Sequence, residues 1–319
     1  MLKYTALALV FVLAACGHKP NSPYAGLRDI ATTETVWCAE PLTSSTARGA
    51  HSLAEKKHAY DGYIYALAGV IAIQESIDPS IDHFYTAPAR LEPVWPVEIS
   101  RKGLDGFKVS VFKLYDSDQK TNLQEVIVAF AGSDQLWDDW VKHNLGFSKS
   151  QHTQAEVLVK YVSERFEGTP ITVTGFSLGG ALAAHVTHKF EDIPEKRDII
   201  KQAWLFNSHA AIRTKTRVNK KIYSLALKGE IAGVARRYGV PLTGWKANGA
   251  PGTQTFHDIQ SLNLGNTLKL HSRWHLMRTL LHSAVIYSGD NPDTTTREPL
   301  EILKSSNNFR CMKIPDDAL

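Results

Sequence analysis

Residues 171 to 190 read ITVTGFSLGGALAAHVTHKF. The stretch begins by alternating Ile and Val with Thr, which suits a strand, and ends on Ala181, Leu182, Ala183 and Ala184, which suit a helix. Gly175-Phe176-Ser177-Leu178-Gly179 stands at the junction. A serine held in a tight strand-to-helix turn projects its hydroxyl outward from a strained backbone. Such a turn tolerates only small residues two positions away on either side, which accounts for Gly175 and Gly179. The helix that follows directs its first N–H groups toward the same point, where they stabilise negative charge. Ser177 therefore reads as an activated nucleophile.

Working outward, the flanking segments alternate between strand and helix patterns. "LAEKKHAYDGYIYALAGVIAIQES" (53–76) has helical spacing and few breakers, and "GFKVSVFKLYD" (106–116) alternates like a half-buried strand. "EVIVAFAGSD" (125–134) is a continuous apolar run ending in Gly and Ser, as a central strand would. In "QAEVLVKYVSERFEGTP" (154–170), Ala155, Leu158, Val162 and Phe166 share one helical face, and Gly168 and Pro170 close the helix. "QAWLFN" (202–207) and "KIYSLALKG" (221–229) are further strand candidates. This order predicts an α/β fold with a mostly parallel sheet covered by helices on both faces. In such sheets the active site forms at the carboxyl ends of the strands, where Ser177 lies.

The composition fits one sizeable core. The chain has 319 residues, 43% apolar and 21% charged, with neither repeats nor zinc-spaced Cys/His sets nor phosphate-binding glycine loops. A formal net charge of +4 is too small to imply nucleic acid. The basic run Arg213, Lys215, Arg217, Lys220 and Lys221 is either a solvated face or a contact for anionic lipid.

The first residues, "MLKYTALALVFVLAACGHKP", carry Lys3, an apolar run from Ala6 to Ala15, and then Cys16. That run has the length of a signal-peptide core and is short for a membrane span. Leu13-Ala14-Ala15-Cys16 resembles the lipobox of bacterial lipoproteins. The resemblance implies a signal peptide over 1–15, lipidation at Cys16, and a membrane anchor without a spanning helix. Gly17 after the cysteine, in place of Asp, favours the outer membrane in the Gram-negative sorting pattern. A lipidated tether over 16–50, a catalytic domain over 51–290 and a tail over 291–319 complete the expected organisation. Cys38 and Cys311 remain, as a disulfide or as two buried thiols.

"VIVAFAGSDQLWDDWVKHNLGF" (126–147), then "VTGFSLGGALA" (173–183) and "LFNS" (205–208), resemble the class 3 lipases, an α/β-hydrolase family of lipases and phospholipases. The similarity covers about Val126 to Asn207. It implies an oxyanion hole with one donor at Ser133 and the other at the backbone N–H of Leu178. Ala131 stands where the family usually has Arg, which removes any ion pair bracing that loop. Trp137 and Trp140 resemble the family's "DW" segment and either line an acyl pocket or pack structurally.

A serine hydroxyl needs a histidine to take its proton and an acid to orient that histidine, in the chain order Ser, acid, His for this fold. Glu230, at the end of "KKIYSLALKGE", is the expected acid, where the family has Asp; Asp258 is the alternative. "LKLHSRWHLMRTLLHSAV" (268–285) offers His271, His275 and His282. His275, followed by Leu276 and Met277, resembles the family's "HL" pattern and is the expected base. His271, with Ser272 able to cap a helix, resembles an "HS" variant, and His282 trails. His185 and His188 read as structural. The resemblance implies ester hydrolysis by Ser177, His275 and Glu230 without metal or cofactor. Its substrate would be lipid or phospholipid, phospholipase A1-like, met at a bacterial envelope membrane. A soluble-ester carboxylesterase or acyltransferase would use the same residues, and a silent envelope lipoprotein that binds partners is the reading from another class.

Overall fold

The computed structural model describes residues 52–74, 85–94, 108–131, 149–208, 219–230, 253–259, 271–290 and 296–306. Within the compact unit of residues 39–307, the chain forms α1 (Leu53–Gln74), β1 (Leu91–Pro93), β2 (Val109–Tyr115), β3 (Leu123–Phe130) and α2 (Lys149–Arg165). It continues as β4 (Ile171–Phe176), α3 (Leu178–Glu191), a 3-10 turn (Pro194–Lys196), β5 (Ile200–Phe206) and β6 (Asn219–Leu227). β7 (Thr253–Ile259), α4 (Arg273–Asp290) and α5 (Glu298–Ser305) follow.

The seven strands form one sheet in the order β1 to β7. β1, β2 and β3 pair antiparallel, and each pairing from β3 to β7 is parallel. This is the mostly parallel sheet the sequence predicts. The parallel register aligns Phe130 with Gly175, Phe176 with Phe206 and Phe206 with Leu225, so β3 to β6 present their carboxyl ends along one edge of the sheet.

Period-two alternation sends the strands' side chains to two different covers. On one face, Val128, Phe130, Val173, Ala203, Leu205 and Ile222 pack with Ala155, Val159 and Val162 of α2 and with Ala181 to Ala184, Val186 and Phe190 of α3. Leu158 and Phe166 lie at the margin of this core, and Gly168, at φ 77, ends the α2 segment. On the other face, Thr174 Oγ1 donates to the Tyr65 carbonyl of α1 at 3.1 Å. There the Trp204 ring stacks between Tyr65 and Tyr223, with centroids 5.2 and 4.6 Å away.

α1 lies between the sheet and α4, which explains why it is buried around most of its circumference and lacks a clean polar stripe. Beneath it sits a buried polar knot. Glu125 accepts from Tyr65 Oη at 2.6 Å and from Thr172 Oγ1 at 2.5 Å, and Gln202 donates to Tyr65 Oη at 2.7 Å. A second knot ties three elements together, with Arg90 donating to both Glu298 oxygens at 2.6 and 2.8 Å and Tyr63 donating to Glu298 at 2.7 Å. Glu298 belongs to α5, which packs on α4, so residues 298–305 of the segment read as a tail are helical and docked.

Candidate active site

β4 ends at Phe176 and α3 begins at Leu178, leaving Ser177 alone in the turn. Its backbone has φ 49 and ψ −113, a conformation that costs about 1–3 kcal/mol for a residue with a Cβ and that persists only where its surroundings enforce it. Two close approaches enforce it here. A Cβ on Gly175 would lie 2.4 Å from the Gly179 carbonyl carbon, and a Cβ on Gly179 would lie 2.1 Å from the Phe130 oxygen. Only glycine fits at either position. The elbow is anchored by the Ser177 N–H, which donates to the Phe206 carbonyl at 3.0 Å. Leu178, as the first residue of α3, has an N–H with no intrahelical acceptor, and it sits beside the Ser177 hydroxyl at the positive end of the helix.

Glu230 arrives from β6. The strand ends at Leu227, and a turn through Lys228 and Gly229 follows, with Gly229 at φ 84. The Glu230 N–H closes that turn on the Leu227 carbonyl at 3.2 Å, and the Glu230 side chain is completely buried. Gly229 supplies the left-handed backbone that a larger residue resists.

His271 stands just ahead of α4. His271 precedes Ser272, whose carbonyl accepts the Leu276 N–H at 3.2 Å as the helix begins. Its Nδ1 lies 2.5 Å from Glu230 Oε2 and its Nε2 lies 3.0 Å from Ser177 Oγ. With a carboxylate on one side, the consistent tautomer carries its proton on Nδ1, so that Nδ1–H donates to Glu230 and Nε2 accepts from the serine hydroxyl. The His271 ring is 10% exposed, enough to meet a substrate while its Glu230 contact stays out of water.

The structure brings together Ser177, Glu230 and His271. His275, the expected base, does not take the place between serine and acid. It lies inside α4 and is itself buried, in a stretch whose Leu276, Met277, Leu280 and Leu281 are fully buried. The apolar residues that made His275 resemble the family pattern are there because α4 is a core helix. His271 is free of that helix and reaches the carboxyl ends of β4 and β6. His282 is likewise buried within α4. Asp258 lies in β7, opposite Ala226. His185 pairs with Glu156 at 2.8 Å and stacks on His152 at 4.1 Å between α2 and α3. Ser133, Trp137, Trp140, Cys16, Cys38, Cys311 and most of the basic run lie outside the described residues.

Residues 90–191 match a family model described as "Phospholipase-like: Tle-like phospholipase domain". The match spans Ser177 and stops short of Glu230 and His271. No curated protein matches the chain. Among solved structures, lipase II from Rhizopus niveus is similar at a TM-score of 0.38 and 14% identity, covering 59% of this chain and 77% of that one. The Lip2 lipase from Yarrowia lipolytica is similar at 0.34 and 15%, over 54% of this chain and 71% of that one. A triacylglycerol lipase from Penicillium expansum is similar at 0.32 and 15%, over 60% and 77%.

Proposed function

We propose that the protein is a serine acyl hydrolase that cleaves carboxylic ester bonds of lipids, with phospholipase A1-like activity. The observation that carries this reading is the His271 imidazole, 3.0 Å from the Ser177 hydroxyl and 2.5 Å from the buried Glu230 carboxylate. The family model over residues 90–191 supports the lipid class of the substrate.

In the reaction, the Ser177 oxygen attacks the ester carbonyl carbon while its proton passes to His271 Nε2. The carbonyl oxygen becomes an oxyanion and is held by the Leu178 N–H and the field at the start of α3, joined in the family resemblance by Ser133. Glu230 stabilises the imidazolium that forms. The tetrahedral adduct collapses, the ester C–O bond breaks, and His271 returns the proton to the leaving alcohol. Water then repeats the sequence on the acyl-enzyme, releasing fatty acid and restoring Ser177.

Leu13-Ala14-Ala15-Cys16 supports a lipid anchor at the bacterial envelope, at the outer membrane, which would hold the site against a phospholipid surface. Among the described residues no helix is long and apolar enough to cross a membrane. The test is fatty-acid release from phosphatidylethanolamine/phosphatidylglycerol vesicles by the wild type beside Ser177→Ala. Release by the wild type alone supports the reading. A folded wild type that releases nothing from vesicles yet hydrolyses short soluble esters moves the assignment to a carboxylesterase. Inactivity on both fits the silent lipoprotein.

A further inference from the structure

Serine and acid come from different strands, β4 and β6, with β5 between them. Their separation therefore depends on how the end of β5 is fastened to each neighbour. The peptide group between Phe206 and Asn207 does both: its carbonyl accepts the Ser177 N–H at 3.0 Å, and its N–H donates to the Leu225 carbonyl of β6 at 3.0 Å.

Asn207 then leaves the strand. It is completely buried, and it has φ 42, one of three positive values found at non-glycine residues among those described. In a parallel ladder that continued, the next β6 donor, the Leu227 N–H, would be received by the Asn207 backbone carbonyl. Instead the Leu227 N–H donates to Asn207 Oδ1 at 3.0 Å. The side-chain amide replaces the ladder carbonyl, so β6 is held beyond the point where β5 ends. Leu227 is also the residue whose carbonyl closes the turn onto the Glu230 N–H at 3.2 Å. Glycine would satisfy the left-handed backbone at 207 but offers no acceptor, whereas alanine offers neither. Asparagine and aspartate combine tolerance of that region with an oxygen at the right length.

We propose that Asn207 is a positioning residue for the hydrolase reaction, its side-chain amide fixing the end of β6, and hence Glu230 and His271, in register with Ser177. This rests on the triad assigned above. The connections run in a closed circuit, from Ser177 to the Phe206–Asn207 peptide, through the Asn207 side chain to Leu227, to Glu230, to His271 and back to Ser177. A small displacement of the Leu227 end moves Glu230, and with it the imidazole, relative to the Ser177 hydroxyl.

The test compares wild type, Asn207→Gly, Asn207→Asp and the core control Val162→Ala. It follows steady-state hydrolysis of p-nitrophenyl butyrate, the rate of fluorophosphonate labelling, and thermal melting. Asn207→Gly is expected to lower kcat and the labelling rate about tenfold or more, with KM within about twofold of wild type, because orientation is lost while ground-state binding stays. Asn207→Asp keeps an acceptor for the Leu227 N–H and is expected to retain kcat within about threefold. Val162→Ala lowers the melting temperature and leaves kcat unchanged. An active wild type whose Asn207→Gly variant matches it in kcat overturns the inference alone. So does an Asn207→Asp variant no better than Asn207→Gly, or an equal loss of kcat in Val162→Ala. A wild type that neither labels nor hydrolyses ester overturns the triad reading and this inference with it.

Discussion

Glu230 Oε2 lies 2.5 Å from His271 Nδ1, and the Glu230 side chain has no exposure to solvent. A carboxylate in that position does two things at once. In the proposed reaction it fixes the imidazole tautomer in which Nε2 accepts the serine proton, and it stabilises the positive ring that results. Replacing it with an amide keeps the shape and loses both effects. Glu230→Gln is expected to lower kcat about 10³- to 10⁴-fold with little change in KM, measured by steady-state ester hydrolysis. Glu230→Asp, one methylene shorter, is expected to fall between the two.

The elbow is a matter of space before it is a matter of chemistry. Gly179→Ala puts a methyl carbon 2.1 Å from the Phe130 oxygen and 2.9 Å from its carbonyl carbon, both backbone atoms that cannot swing aside. The substitution is expected to destabilise the fold by about 3 kcal/mol, read as a lower midpoint in urea unfolding, and to abolish ester hydrolysis.

Alkaline pH reaches the fold through two buried tyrosines of α1. Burial, and then the charge of Glu125, hold the Tyr65 phenol above its ordinary range; burial and Glu298 do the same to Tyr63. The folded state keeps protons that the unfolded chain releases near pH 10, so the contribution is intact below about pH 10 and is lost as pH rises above it. Melting temperatures recorded from pH 7 to 11 are expected to fall above pH 10, and less steeply in Tyr65→Phe.

The proposed anchor has its own readout. Cys16→Ala is expected to end incorporation of labelled palmitate in a bacterial host and to release the protein from the membrane fraction, with hydrolysis of soluble esters retained. Palmitate incorporation that survives the substitution would contradict lipidation at Cys16.

How far the sequence could be read depended on whether the structural cause was local. The Ser177 turn is governed by glycines two residues away, so its geometry is written in five consecutive letters. The same holds for β2 to β6, whose apolar or alternating runs match the strands observed. β7 was not legible: "TQTFHDI" has neither an apolar run nor a regular alternation, and its strand character rests on backbone pairing with β6 at the edge of the described sheet. Which histidine meets Ser177 was ambiguous in the sequence. His271 and His275 are one helical turn apart, and the apolar residues after each serve the α4 core. What separates them is that one lies before the helix and the other inside it, a distinction set by tertiary packing. Asn207 gave no signal beyond an asparagine at a strand end, because its role depends on a strand partner twenty residues away.

Fluorophosphonate labelling of the purified protein, comparing wild type with Ser177→Ala, His271→Ala and His275→Gln, tests the Ser177–His271–Glu230 arrangement most directly. The wild type and His275→Gln are expected to label, and Ser177→Ala and His271→Ala to remain unlabelled while melting cooperatively. Labelling that survives His271→Ala at the wild-type rate, or a wild type that takes no label, would contradict the account.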